Sequence, residues 1–292
     1  MTLATLIPLA IQLSMATIIF CVALHAKFGD VVFLWRKPWL LLRSLLSMLV
    51  VMPVLAVAMA VQFDLHQAVE VALVASALSP VPPILPSKQI KAGGESSYVV
   101  GLLATTALVS IGYVPLAAAL LGSAFHRPVD VSPADVAKIV ASSMLLPVLA
   151  GMAVRRFAPA LALRLDRPLS ILATGVLVAA CVPILLKEWP DLLRMLGDFT
   201  LLAMAAFAAI GLAVGHWLGG PDPHERSVLA MATAARHPAV ALAIAHNAVD
   251  KPGVMAAVLL ALIVASIVTA PYVKWRQRSL QPALAQGHSP TS

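Results

Sequence analysis

Apolar stretches long enough to cross a bilayer follow one another from residue 3 to residue 273, with short loops between them. Roughly 20 helical residues cover a hydrocarbon core of about 30 Å. Lipid offers no partner to a backbone N–H or C=O, so such a chain has to close its hydrogen bonds within helices. The expected fold is therefore an all-α membrane protein with nine transmembrane helices, at about 3–26, 39–62, 67–91, 97–122, 134–154, 168–187, 197–219, 225–248 and 253–273. Composition agrees: 61% of the residues are hydrophobic and 11% charged, with a mean hydropathy of +0.94, against about 45–50% and about 25% in soluble domains. No large soluble domain fits into what remains. The first apolar run has no basic stretch before it and no small-residue cleavage site, so it is expected to be a retained span.

The net charge of +7 does not point to nucleic acid, because the basic residues fall in short loops. One set of loops and ends holds Lys27, Arg36, Lys37, Arg43, Lys88, Lys91, Arg155, Arg156, Arg164, Arg167, Arg226, Lys274, Arg276 and Arg278. The opposite set holds only Arg127, Lys138, Lys187, Arg194 and Lys251. The richer set marks the cytoplasmic side. This predicts an N-terminus outside, a C-terminus inside, and residence in the cell membrane, a bacterial inner membrane. Cys21 and Cys181 both lie in apolar runs, which leaves no disulfide framework and no metal-ligand spacing. The tail 279–292 is polar and is expected to be disordered.

Two spans are interrupted. Within the run from Val228 to Ala248 stand Arg236, His237 and Pro238. A charged side chain at the centre of a bilayer costs roughly 2.5–3.5 kcal/mol even on the lenient insertion scale. Proline removes a backbone donor and clashes with the preceding turn. Span three carries a second break at Ser79-Pro80-Val81-Pro82-Pro83-Ile84-Leu85-Pro86-Ser87. The loop charges make spans three and eight antiparallel. Two broken helices in corresponding, oppositely oriented places are the mark of an inverted-repeat secondary transporter with its solute site near the midplane. The expected arrangement is a single transporter domain over 1–278, with repeats at about 1–122 and 134–278. The substrate-binding candidates are Arg236, His237, Pro238, Ser79, Pro80, Pro82, Pro83 and Ser87. Helix N-termini at the breaks favour anions, so the expected partner beside lipid is a small organic anion. His237 is a candidate proton carrier, and Glu70, in the outer half of a span, is a second. Ordinary proline kinks and backbone pairing by Arg236 and His237 are the structural alternatives.

The chain resembles the bile acid:sodium symporter superfamily over about residues 6–273. The stretches that carry the likeness are Val51-Met52-Pro53-Val54-Leu55-Ala56, Ser79-Pro80 with its ungapped step to Gly94, Leu145-Leu146-Pro147-Val148-Leu149-Ala150-Gly151, and the run from Arg236 to His246. The resemblance implies a panel domain, a core domain in which two discontinuous helices cross, and alternating access for an organic, often anionic, solute. It also implies two sodium sites, but their oxygen ligands are missing. By ungapped placement these positions hold Leu85, Pro86, Val99, Leu103, Met48, Ala232 and Arg236, and a one-residue slip offers only Ser47 or Thr233. Sodium is a hard cation that wants oxygen, so sodium coupling is left open, and Arg236 is a candidate for the electrostatic place of the ion. There is no HExxH, GxSxG or P-loop, so neither an enzyme nor a cofactor is expected. The competing functions are a membrane sensor that binds solute without moving it, and a proton-coupled organic anion transporter that uses His237.

Overall fold

A computed structural model describes residues 3–125, 131–195, 199–248 and 253–286. These residues are all helix, turn or coil, without a strand among them. Eight helices are long and apolar enough to cross a membrane. They begin with α1 (Leu3–Ala23), followed by a four-residue turn, α2 (Phe28–Val31). The second runs from α3 (Pro38–Leu45) through a π-turn at Leu46–Val51 into α4 (Met52–Gln62). The third expected span is divided into α5 (Gln67–Leu78) and α6 (Leu85–Lys91), each too short to cross alone. Next come α7 (Ser96–Ala124), then α8 (Pro133–Val140), a π-turn at Ala141–Leu145 and α9 (Leu146–Phe157). The remaining elements are α10 (Pro159–Arg194), α11 (Thr200–Leu218), the pair α12 (Pro223–Ala234) and α13 (Pro238–Ala248), and α14 (Val254–Gln286). The last helix thus continues past Ser279, where the sequence predicts the start of a disordered tail; residues 287–292 lie outside the described set.

The two π-turns have a cause in the sequence. Each is followed within two residues by proline, Pro53 or Pro147, whose missing N–H leaves the carbonyl four residues earlier without its helical donor. For Pro53 that carbonyl belongs to Leu49, and the Tyr113 hydroxyl of α7 donates to it at 2.6 Å. For Pro147 it belongs to Ser143, in the second π-turn.

α1 packs along α9 and α10, α14 packs on α5, α11 and α13, α13 packs on α5, and α12 lies along α11. Close approach of α11 to α12 depends on a stripe of glycine at Gly211, Gly215 and Gly219. A Cβ at Gly215 would stand 2.5 Å from the Leu229 carbonyl oxygen, and one at Gly219 would stand 2.5 Å from the Arg226 Cα. With little hydrophobic drive between helices in lipid, such small-residue contacts are a main source of attraction. Other ties gather where α6, α12 and α14 meet. The Gln89 amide donates to the Val228 carbonyl at 2.8 Å, and the buried Arg276 guanidinium donates to Ser227 Oγ at 2.8 Å. Lys37 pairs with Glu225 at 2.6 Å, and Asp222 caps α12 by accepting from the His224 N–H at 2.7 Å.

Candidate functional site

Both breaks end a helix in the same way. α5 stops at Ser79 and α12 at Ala235, and each of these residues turns the backbone to an extended conformation, with ψ of 151° and 143° respectively. In the first break Pro80, Pro82 and Pro83 cannot donate to the turn behind them. The carbonyls that this leaves over need partners, since an unpaired buried polar group costs about 1–3 kcal/mol. One partner comes from the other break: the His237 N–H donates to the Pro80 carbonyl at 2.9 Å. The two interruptions, far apart in sequence, therefore share a main-chain hydrogen bond.

Arg236 supplies the next partners. Its guanidinium donates to the Ser79 carbonyl at 3.4 Å and to the Thr233 carbonyl at 3.1 Å. These oxygens end α5 and α12, so the cation sits at two helix C-termini, where the backbone dipoles favour positive charge. Arg236 is only 6% exposed. Its Nε finds no acceptor, and no carboxylate comes within 4 Å of it among the described residues.

Arg236 and His237, in the non-helical step between α12 and α13, reach different neighbours. Arg236 lines a cavity among α5, α11, α13 and α14. His237, fully buried, turns its Nε2 to Ser143 Oγ at 3.2 Å, across to the second π-turn. The Ser143 hydroxyl also donates to the Ile139 carbonyl at 2.7 Å. The His237 Nδ1 is without a partner.

The other sequence candidates separate into those at the crossing and those away from it. Ser79 and Pro80 are buried there, but the Ser79 hydroxyl is occupied locally, donating to the Ser76 carbonyl at 2.8 Å. Pro82 and Pro83 are buried beside them, and Pro238 opens α13 at the second break. Ser87 lies in the first turn of α6 and donates to the Ile84 carbonyl at 3.1 Å. Glu70 is not brought to the crossing. It sits in the first turn of α5, at the end remote from Ser79, where a carboxylate suits the helix dipole.

Where the resemblance implies sodium ligands, the structure packs apolar side chains. Leu85, Val99, Leu103, Met48 and Ala232 are all buried in the hydrophobic core. The two hydroxyls offered by a one-residue slip do meet: Ser47 Oγ and Thr233 Oγ1 stand 2.5 Å apart, and Thr233 donates to the Leu229 carbonyl at 2.8 Å. Each hydroxyl thus has a protein partner already. Sequence reasoning missed Ser143 and Tyr113. Pro147 and Pro53 signal their neighbourhoods, since each frees a carbonyl one turn back, but spacing alone does not say which distant side chain arrives there.

A multi-pass helical membrane protein with two interrupted helices meeting inside it is the class that these features define. Residues 12–189, more than half of the chain, match the Sodium Bile acid symporter family, and the chain belongs to that family. Its members are membrane transporters rather than enzymes. No individual curated protein matches the chain. The matched region contains the first break and Ser143 and ends before Arg236.

Proposed function

We propose that this protein is a secondary transporter that moves a small organic anion across the cell membrane by alternating access, without a sodium requirement. The observation that carries this is Arg236, buried between the carbonyls that end α5 and α12 and, among the described residues, held by no carboxylate. A bound cation in that place would neutralise two helix C-termini, and the guanidinium does so permanently. The oxygen ligands that sodium needs are replaced by packed apolar side chains at the corresponding positions.

On this account α5, its break and α6 together make a ninth span, and the two halves of the chain are inverted repeats. The N-terminus lies outside and the C-terminus in the cytoplasm. The solute engages the crossing through Pro80, Pro82, Pro83, His237 and Pro238, with Ser79 and Ser87 shaping the path. Support for an anionic solute comes from the fixed positive charge and from the N-terminus of α13 at the same place.

The test is uptake of a panel of labelled organic anions into proteoliposomes, with sodium replaced by potassium or choline. Uptake of at least one anion, equal in all three salts, is expected. A strict sodium requirement contradicts the proposal, and binding without flux would make the protein a sensor. The proton-coupled alternative is favoured by one feature, the unpartnered His237 Nδ1. It requires uptake to follow an imposed pH gradient and to lose that dependence in His237→Gln.

A further inference from the structure

The side of the crossing that Arg236 faces is built differently from the side that His237 faces. Arg236 lines a cavity of about 30 Å³ whose walls include Leu73 of α5, Met204 and Phe207 of α11, and Val258 and Ala265 of α14. A water molecule needs roughly 10–15 Å³ of such space, so the cavity has room for about two or three water-sized atoms. Among the described residues, the guanidinium is the only charged group in its lining. The side chain is 94% buried, being 6% exposed, and its Nε has no acceptor. The two carbonyls that it does engage offset part of its charge. The N-terminus of α13, beginning at Pro238, adds partial positive charge back. No Asp or Glu reaches it among the described residues.

A buried guanidinium that commits two of its five N–H donors to carbonyls and lines a small, largely apolar cavity is matched by a compact acceptor that bears one negative charge. Hydrogen bonds between ions are about twice as strong as those between neutral groups, so an anion outcompetes water there. Ser76 and Arg236 apart, the walls are apolar and leave no partner for a second charge. We propose that this cavity is a binding site for one small monoanionic group, the size of formate or a halide, distinct from the His237 and Ser143 side of the crossing. This goes beyond the transport proposal, because binding is an equilibrium property of the protein whether or not it moves a solute.

The experiment uses the purified full-length protein in detergent, held in sodium gluconate, an anion too large for the cavity. Sodium formate or sodium chloride then replaces gluconate at constant ionic strength, and unfolding is followed by tryptophan fluorescence. A saturable rise in Tm of about 2–4 °C is expected. Formate acting alone identifies a carboxylate as the occupant; formate and chloride acting alike identify any small monoanion. Arg236→Gln should remove the rise. Ala265→Leu, which fills the cavity and leaves the guanidinium in place, should remove it too, and keeps the test valid if the arginine variant does not fold. No rise in the folded wild-type protein, or a rise that survives Ala265→Leu, overturns the proposal and leaves a cavity that holds water.

Discussion

Arg236 is held by what two broken helices leave over. Its two carbonyl partners belong to residues 157 and 3 positions away in sequence, so the side chain ties the breaks together as well as neutralising them. Arg236→Ala frees both carbonyls, and a stability loss of about 1–3 kcal/mol is expected, together with loss of uptake. Arg236→Lys keeps the charge without the planar fork and should restore uptake only in part. Chemical denaturation and proteoliposome flux measure the two effects separately. Unchanged flux in the alanine variant would remove Arg236 from the mechanism. At His237, removal of its partner in Ser143→Ala should lower stability by about 1 kcal/mol and change the rate of uptake, because this hydrogen bond joins the second break to the neighbouring π-turn. A variant with wild-type flux would reduce the contact to packing.

At the scale of elements, the placement of both breaks was legible because proline and a buried charge stand out against apolar sequence. Ser79 to Pro83 and Ala235 to His237 are non-helical, as Pro80, Pro82, Pro83 and Pro238 require. The meeting of the breaks was inferred from their orientation, and the bond from His237 to Pro80 realises it. The occupation of Ser79 and Ser87 by local carbonyls was not legible. A serine near a helix end has the same spelling whether its hydroxyl faces a path or the turn behind it. The glycine stripe on α11 is readable as small residues four apart, but spacing alone does not say which helix it meets. It has a direct consequence. Gly215→Val would drive side-chain atoms into the backbone of α12, and should shift the second break and destabilise the protein by about 1–3 kcal/mol. Gly175→Val on α10, where an added Cβ meets nothing within 4 Å, is the matched control and should leave folding and uptake unchanged. Equal behaviour of the two variants would show that the α11–α12 contact does not set the break.

At the scale of the whole molecule, a succession of apolar helices and two interruptions were visible in the sequence, while the balance of charge where the breaks meet was not. That balance depends on which helix ends face one another. Two C-termini accept from Arg236, one N-terminus begins beside it, and no carboxylate arrives among the described residues. The family match places the chain among membrane transporters. On the proposal above, the apolar packing at Leu85, Val99, Leu103, Met48 and Ala232 accounts for transport without a bound sodium. The most direct test of this claim is counterflow of labelled organic anions into proteoliposomes with choline as the only small cation on both faces. The account predicts exchange of at least one anion, unchanged when sodium is added and absent in Arg236→Ala. Exchange that appears only with sodium, or that persists in Arg236→Ala, would contradict it.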